Sequence, residues 1–484
     1  MRRKQTLLST SLALVLAGCA SLAPDYERPA APVPQQWSTP AGSSASATAV
    51  EWQLPDWREV FIDARLQQVI ATALAHNRDL RVALLNIEQA RAQYRIQDAA
   101  QWPTVNAAGG QSAARSASGT TSRNYSAEVG LSSWELDLFG RVRSLRDQAL
   151  QSYLATAETQ RSTRLSLIAE VASQWLNVAA YQQQLALARQ TLQSQQRSLA
   201  LTQLRHDEGM VSGVDLASMQ ASVETARADV ASYDTTLAQA RNALDLLVGA
   251  PIPEALLPAP EQPLADLVAL APLPARLDSS VLLQRPDVLA AEYELQAANA
   301  NIGAARAAFF PSFSLTTSAG VGSSTLSDLF NGASRIWSFV PNITVPIFSA
   351  GALQAELDVA TLSRDITVAE YEKAIQTAFS EVADALDERA RIDARLDAQR
   401  ALVVATARSH TLADARWREG VDSSLEALTA QRNLYSAEQG LISLALTEAT
   451  NRVMLYKVLG GEATGEASGE PLTARTTTTG DAGR

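Results

Sequence analysis

Two stretches of this sequence, 141–208 and 352–419, each run for 68 residues without a glycine or a proline, and glycines close both ends of each: Gly140 and Gly209, Gly351 and Gly420. Glycine and proline are the residues that weaken or break helices, so each stretch is predicted to be one continuous helix. At the rise of an α-helix such an element is about 100 Å long, several times the usual length in a compact domain. Apolar residues recur inside both at alternating spacings of three and four: Leu165, Ile168, Ala172, Trp175 and Ala179 in the first, Ile375, Phe379, Val382 and Leu386 in the second. That spacing is a coiled-coil seam. The positions between are filled by Ala, Ser, Gln and Thr, which allow close neighbours on more than one face and fit a helix standing in a curved wall.

The two helices belong to an internal repeat. Trp102-Pro103-Thr104-Val105 matches Phe310-Pro311-Ser312-Phe313, and His76-Asn77-Arg78-Asp79-Leu80 matches Gln284-Arg285-Pro286-Asp287-Val288, at an offset of 208 residues. Beyond the strand region the offset is 211: Glu208-Gly209 pairs with Glu419-Gly420, Ser212 with Ser423, Asp215 with Glu426, and Leu247-Val248-Gly249 with Val458-Leu459-Gly460. The second copy thus carries about three extra residues in its strand region (211 − 208) and otherwise repeats the plan. Shorter helical tracts are expected at 63–100 and 212–247 in the first copy and at 287–308 and 424–458 in the second, with Pro286 suited to a first helical turn. Each copy reads helix, strand, strand, long helix, helix.

The strands carry a period of two. Phe313, Leu315, Thr317, Ala319 and Val321 alternate with Ser312, Ser314, Thr316, Ser318 and Gly320, and Trp337, Phe339, Ile343, Val345 and Ile347 continue the period. One face is apolar and the other small and polar, as in a membrane β-barrel. The first copy, with strands at about 103–116 and 124–138, is weaker but holds Tyr125, Val129, Leu131 and Trp134. Four strands cannot close a membrane barrel, since about eight are the minimum, and an open edge in lipid leaves backbone groups unpaired. Two copies would give an eight-stranded barrel filled by its own side chains, whereas three leave a water-filled bore. The expectation is therefore a homotrimer: a mainly α protein whose three copies give a 12-stranded β-barrel and a long α-helical coiled-coil barrel.

The amino terminus agrees. Arg2, Arg3 and Lys4 precede an apolar run that ends Leu16-Ala17-Gly18-Cys19, and Cys19 is the one cysteine of the 484 residues. Residues 1–18 read as a signal peptide, with Cys19 the mature terminus that takes diacylglycerol and an N-linked acyl chain such as palmitate. Ala20, in place of an aspartate, points to the outer membrane. Residues 19–62 are then the lipidated N-terminal segment of an equatorial region, and 63–249 and 277–460 the two copies. Residues 250–276 are a Pro-rich linker, and 461–484 a disordered tail. Removing the signal leaves 37 basic against 51 acidic residues, a net charge of −14, which argues against nucleic acid as a partner.

The run Leu283-Gln284-Arg285-Pro286-Asp287-Val288, with Ala291-Glu292, Ala297-Ala298, Ile302-Gly303-Ala304-Ala305-Arg306 and Phe309-Phe310-Pro311-Ser312, resembles the signature of the outer-membrane efflux protein family, in the OprM/NodT-like lipoprotein branch of the relatives of TolC. The resemblance implies a trimeric duct in the outer membrane that extends across the periplasm. It implies as partners a periplasmic adaptor and an inner-membrane pump, most often of the RND type. It also implies a gate at the periplasmic end, closed by a leucine ring, an acidic ring and arginines. Leu425 matches the leucine, and Arg418 and Arg432 the arginines. Thr429 stands where the aspartate is expected, so Asp422 or Glu426 would have to supply an acidic ring. The turns at Gly209 and Ser212 and at Gly420 and Ser423 would be the adaptor-docking tips.

Two other classes compete. His76, His206 and His410 are isolated, no second cysteine exists, and no phosphate loop is present, so neither an enzyme nor a metal or cofactor site is suggested. A lipid-anchored coiled-coil scaffold would share the anchor and the helices but would not need strand pairs placed identically in both copies. Within the duct reading, a type I protein-secretion channel is the alternative to small-molecule efflux, which the lipoprotein start favours.

Overall fold

The computed structural model describes residues 21–37, 56–259, 262–269 and 277–461. The signal peptide, Cys19, residues 462–484 of the tail and part of the linker lie outside the described residues. The first copy contains α1 (Trp57–Val60), α2 (Ala64–His76), α3 (Arg78–Ala99), β1 (Val105–Arg115), β2 (Thr121–Leu136), α4 (Arg141–Asp207) and α5 (Gly213–Val248). The second contains α6 (Pro286–Ala307), β3 (Ser312–Ser323), β4 (Arg335–Thr344), α7 (Ala352–Arg418) and α8 (Ser424–Val458). Both glycine-bracketed stretches are single helices of 67 residues.

The tract expected as one helix over 63–100 is two helices, broken at Asn77. There the backbone is extended (ψ 134°), and the Asn77 carboxamide oxygen caps α3 by accepting from the Leu80 N–H at 2.8 Å. Its amide donates to the carbonyl of Leu247 at 2.8 Å. The repeat explains the break. Arg285, the partner of Asn77 at the 208 offset, precedes α6 and donates to the carbonyl of Val458 at 2.8 Å, and Val458 is the partner of Leu247 at the 211 offset. In each copy the residue before one helix thus locks the end of another. Buried Arg285 is held in addition by Asp287 and Glu381, both at 2.7 Å.

Two further expectations are corrected. The linker is not a bare connector: Leu257, Leu264, Leu267 and Val268 are buried in the core of the first copy, beside Trp175 and Tyr456. The Trp175 indole N–H donates to the carbonyl of Leu256 at 3.0 Å. The last strand ends at Thr344, so Val345 and Ile347 lie past it; Pro346, with no N–H to give to a ladder, follows at once.

The strands form one antiparallel sheet in the order β1-β2-β3-β4, and β1 and β4 are its edges. Its register sorts the side chains. Rows such as Val105–Leu131–Thr317–Phe339 and Ala107–Val129–Ala319–Trp337 share one face, while Asn106, Gly130, Ser318 and Ser338 share the other. A bulge between Leu131 and Trp134, with Ser133 at φ 49°, restores the apolar face past the irregularity, so that Trp134 and Leu136 sit opposite Leu315 and Phe313. Trp337 is 79% exposed and Phe339 60% in the protomer. On the other face the Ser318 hydroxyl donates to the Glu128 carboxylate at 2.6 Å and lies 2.8 Å from the Ser338 hydroxyl.

The helical part has two main cores, one per copy, and the α8 residues Ala449, Val453 and Tyr456 enter the first. In the α4 seam Ile168, Ala172, Trp175 and Ala179 are buried. Proline at Ala172 would remove a backbone hydrogen bond and clash with the preceding turn beside Trp175, at about 3 kcal/mol or more per protomer. Oligomer recovered from membranes carrying Ala172→Pro should fall sharply on native gels, and parental recovery would contradict a continuous helix there.

Candidate functional site

The two helical hairpins, α4–α5 and α7–α8, end in turns built alike. Gly209 and Gly420 take left-handed backbone (φ 76° and 73°), which L side chains rarely adopt, and let the chain reverse. The Met210 N–H then donates to the carbonyl of Arg205 at 2.8 Å, and the Val421 N–H to that of Arg416 at 2.9 Å. Beyond the first turn Ser212 and Asp215 form a capping box at the start of α5. The second turn departs from the pattern: Ser423 precedes α8 but makes no side-chain cap. Instead the hydroxyl of its neighbour Ser424 crosses to the first hairpin and donates to Asp215 at 2.5 Å. These bonds from Ser212 and Ser424 hold the Asp215 carboxyl below the usual carboxylate range, so it is charged at neutral pH.

Arg205 makes the second tie. It donates to the carbonyls of Trp417 at 3.0 Å and Arg418 at 2.5 Å, the unsatisfied end of α7, and its guanidinium lies over the Trp417 ring. Trp417, Met219 and Leu428 form a small buried core beneath. The tips of one protomer are thus fastened to each other by Arg205, Asp215, Ser424 and Trp417, none of which the family resemblance singled out. The signal was in the repeat: Arg205 aligns with Arg416 and Asp215 with Glu426 at the 211 offset.

The residues matched to a gate fall on the free side of α8. Leu425, Thr429 and Arg432 are exposed along one stripe, and Leu425 is 62% exposed. The Thr429 hydroxyl donates to the carbonyl of Leu425 at 2.8 Å within the helix. Asp422 is neutralised by Arg416, at 2.5 and 3.0 Å, which holds its carboxyl below the ordinary range. Glu426 is exposed with no ion pair among the described residues. Arg418 pairs with Asp414 of its own helix at 2.9 Å, and Arg432 lies 3.4 Å from the carbonyl of Leu428. Among the described residues neither arginine's side chain ties two helices together; that of Arg205 does. Met210 and Val214 at the first tip, and their repeat partners Val421 and Leu425 at the second, are all more than 60% exposed.

Among the described residues no helix is long and apolar enough to cross a membrane. A sheet apolar on one face, continued by helical hairpins of this length, defines an outer-membrane channel that reaches into the periplasm. The family described as outer membrane efflux protein matches residues 69–250 and 277–461, which are the two copies of the repeat. The toluene efflux pump outer membrane protein TtgC of Pseudomonas putida is 46% identical over 478 residues, covering 96% of this chain and 98% of that protein. The cation efflux system protein CusC of Escherichia coli is 42% identical, covering 94% and 99%. The open-state crystal structure of the MtrE outer membrane channel of Neisseria gonorrhoeae superimposes with a TM-score of 0.84 at 40% identity, covering 92% and 99%. The chain belongs to the outer membrane efflux protein family and acts as an outer-membrane efflux channel.

Proposed function

We propose that three copies close into the conducting duct of a tripartite efflux pump, which passes small molecules such as drugs and solvents from an inner-membrane pump of the RND type outward. The observation that carries this reading is the sheet. Its apolar face is exposed, which suits lipid, and among the described residues its β1 and β4 edges are unpaired, which lipid tolerates only if neighbouring copies complete the ring. Exposed Val359, Leu362 and Ile366 on α7 and Val82, Leu85 and Ile96 on α3 supply apolar helix surface for the same neighbours. The exposed apolar tips, Met210 and Val214 with Val421 and Leu425, suit a periplasmic adaptor. Leu425 and Thr429 form the axial constriction, with Arg418, Arg432 and Glu426 around it. Toluene and cations are named for relatives, and the pump selects the cargo of this duct.

Purified protein in a planar lipid bilayer should conduct ions in steps; folded protein that never conducts would favour a scaffold instead.

Cys19 carries the lipid anchor in this reading. Residues 21–37 lie along the second copy, where Arg306 donates to the carbonyl of Leu22 at 3.1 Å and Asn299 to that of Pro24 at 2.8 Å. Leu22, three residues after Cys19, therefore sits beside the end of α6 that leads into β3. Cys19→Ser should abolish acyl labelling and leave helical content and bilayer conductance unchanged. Labelled Cys19→Ser protein would refute the assignment.

A further inference from the structure

We propose that Arg115, Arg123 and Arg335 form a rim on the outward face of the sheet that binds the phosphate groups of a phosphorylated glycolipid in the outer leaflet. The inference rests on the reading above, in which the apolar face meets lipid.

The strand register fixes the three residues on that face. Arg335 begins β4 in the row Gly109–Ala127–Val321–Arg335, next to the row of Val129 and Trp337. Arg123 lies opposite Ala113, and Arg115, opposite Thr121, is its diagonal neighbour across the same pair of strands. Both flank the hairpin turn at 116–120, the end of the sheet farthest from the helices and so the outer end. Tyr125, between Arg123 and Ala127 on the same face, adds the amphipathic ring usual at a membrane interface.

The face carries bases without acids. Along all four strands its residues include no aspartate or glutamate; Glu128 and Glu135, the carboxylates of β2, are on the inward face opposite Gly320 and Ser314. All three arginines are exposed, and none has a carboxylate within ion-pair distance among the described residues. Arg115 and Arg123 are like charges at diagonal positions, close enough for their long side chains to meet on one anion. Below them the face is apolar, so their counter-charge must come from the layer where lipid headgroups begin. A guanidinium offers two parallel N–H groups to a phosphate, the match that makes arginine suited to this site. Three copies would present nine such groups around the barrel.

The test measures binding of bis-phosphorylated lipid A to the purified oligomer, against fully dephosphorylated lipid A. Each arginine near an anionic membrane surface contributes about fivefold in affinity, so replacing all three by glutamine should weaken binding on the order of 100-fold. Dephosphorylated lipid A should bind the parent no better than the intact lipid binds the triple variant. If the triple variant does not assemble, Arg123→Gln should lose about fivefold and Arg123→Lys much less. Equal binding by parent and variant, or indifference of the parent to the phosphates, overturns the proposal. Bilayer conductance separates the two readings: a parent that never conducts overturns the barrel itself, whereas one that conducts but ignores the phosphates overturns only the rim.

Discussion

Replacing Gly320 by valine should abolish insertion into the membrane while leaving the periplasmic helices folded. A Cβ at Gly320 would lie 2.1 Å from the carbonyl oxygen of Ala127 and 2.6 Å from the Cα of Glu128. Its diagonal neighbour Gly130 is placed alike, 2.2 Å from the carbonyl oxygen of Thr317 and 2.8 Å from the Cα of Ser318. These contacts are with backbone, which cannot swing aside as a side chain can. Both glycines lie on the inward face of the β2–β3 ladder, the one pairing that joins the sheet halves of the two copies. A sheet that curves toward a bore brings its inner faces together, and glycine allows that approach. The expected penalty is about 3 kcal/mol in each of three copies, because the strands must separate and lose ladder bonds. The readouts are heat-resistant oligomer on gels and insertion into bilayers, with circular dichroism reporting the helices. Gly109→Val is the control, since the nearest atom to its added Cβ is 3.9 Å away. Parental insertion by Gly320→Val would mean that the ladder is not under this constraint.

The elements dominated by local chemistry were legible from the residues. Glycine at Gly140, Gly209, Gly351 and Gly420 marks helix limits because its left-handed backbone is what ends or reverses a helix there, and the structure holds all four at positive φ. The alternation in β3 was legible because a half-buried strand repeats every two residues. What local chemistry does not determine was missed. Asn77 can sit inside a helix, and it breaks one here because a carbonyl 170 positions away, at Leu247, takes its amide. Leu264 and Leu267 stand among prolines and read as connector, yet the groove beside Trp175 buries them. At the tips, the helix limits followed from Gly209 and Gly420. The ties from Arg205 and Ser424 did not, because they satisfy atoms of a different hairpin.

Leu425→Ala should raise the bilayer conductance of the duct and, in cells, admit large antibiotics such as vancomycin that the closed duct excludes. Leu425 is exposed on the stripe of α8 that also holds Thr429 and Arg432, so three copies around an axis can meet there by apolar contact and shut out hydrated ions. We assign a second support of a closed state to ties within each protomer, the bonds from Arg205 to the end of α7 and from Ser424 to Asp215. These lie at the exposed tips, where a charge-assisted tie is screened and contributes about 1 kcal/mol, a shift of about fivefold between closed and open forms. Arg205→Ala should therefore open the duct by a different route from Leu425→Ala, and the double variant should conduct more than either. Arg418→Ala should have a smaller effect than Arg205→Ala, because among the described residues the ion pair of Arg418 is with Asp414 on its own helix. Thr429→Ala should change little, since its hydroxyl is already satisfied by the carbonyl of Leu425 and offers no fixed charge. Thr429→Asp places three carboxylates around the axis and should make the conductance cation-selective. If Leu425→Ala conducts like the parent while Thr429→Ala opens the channel, the constriction lies one helical turn farther along α8, and the tie through Arg205 would then act below the gate instead of at it.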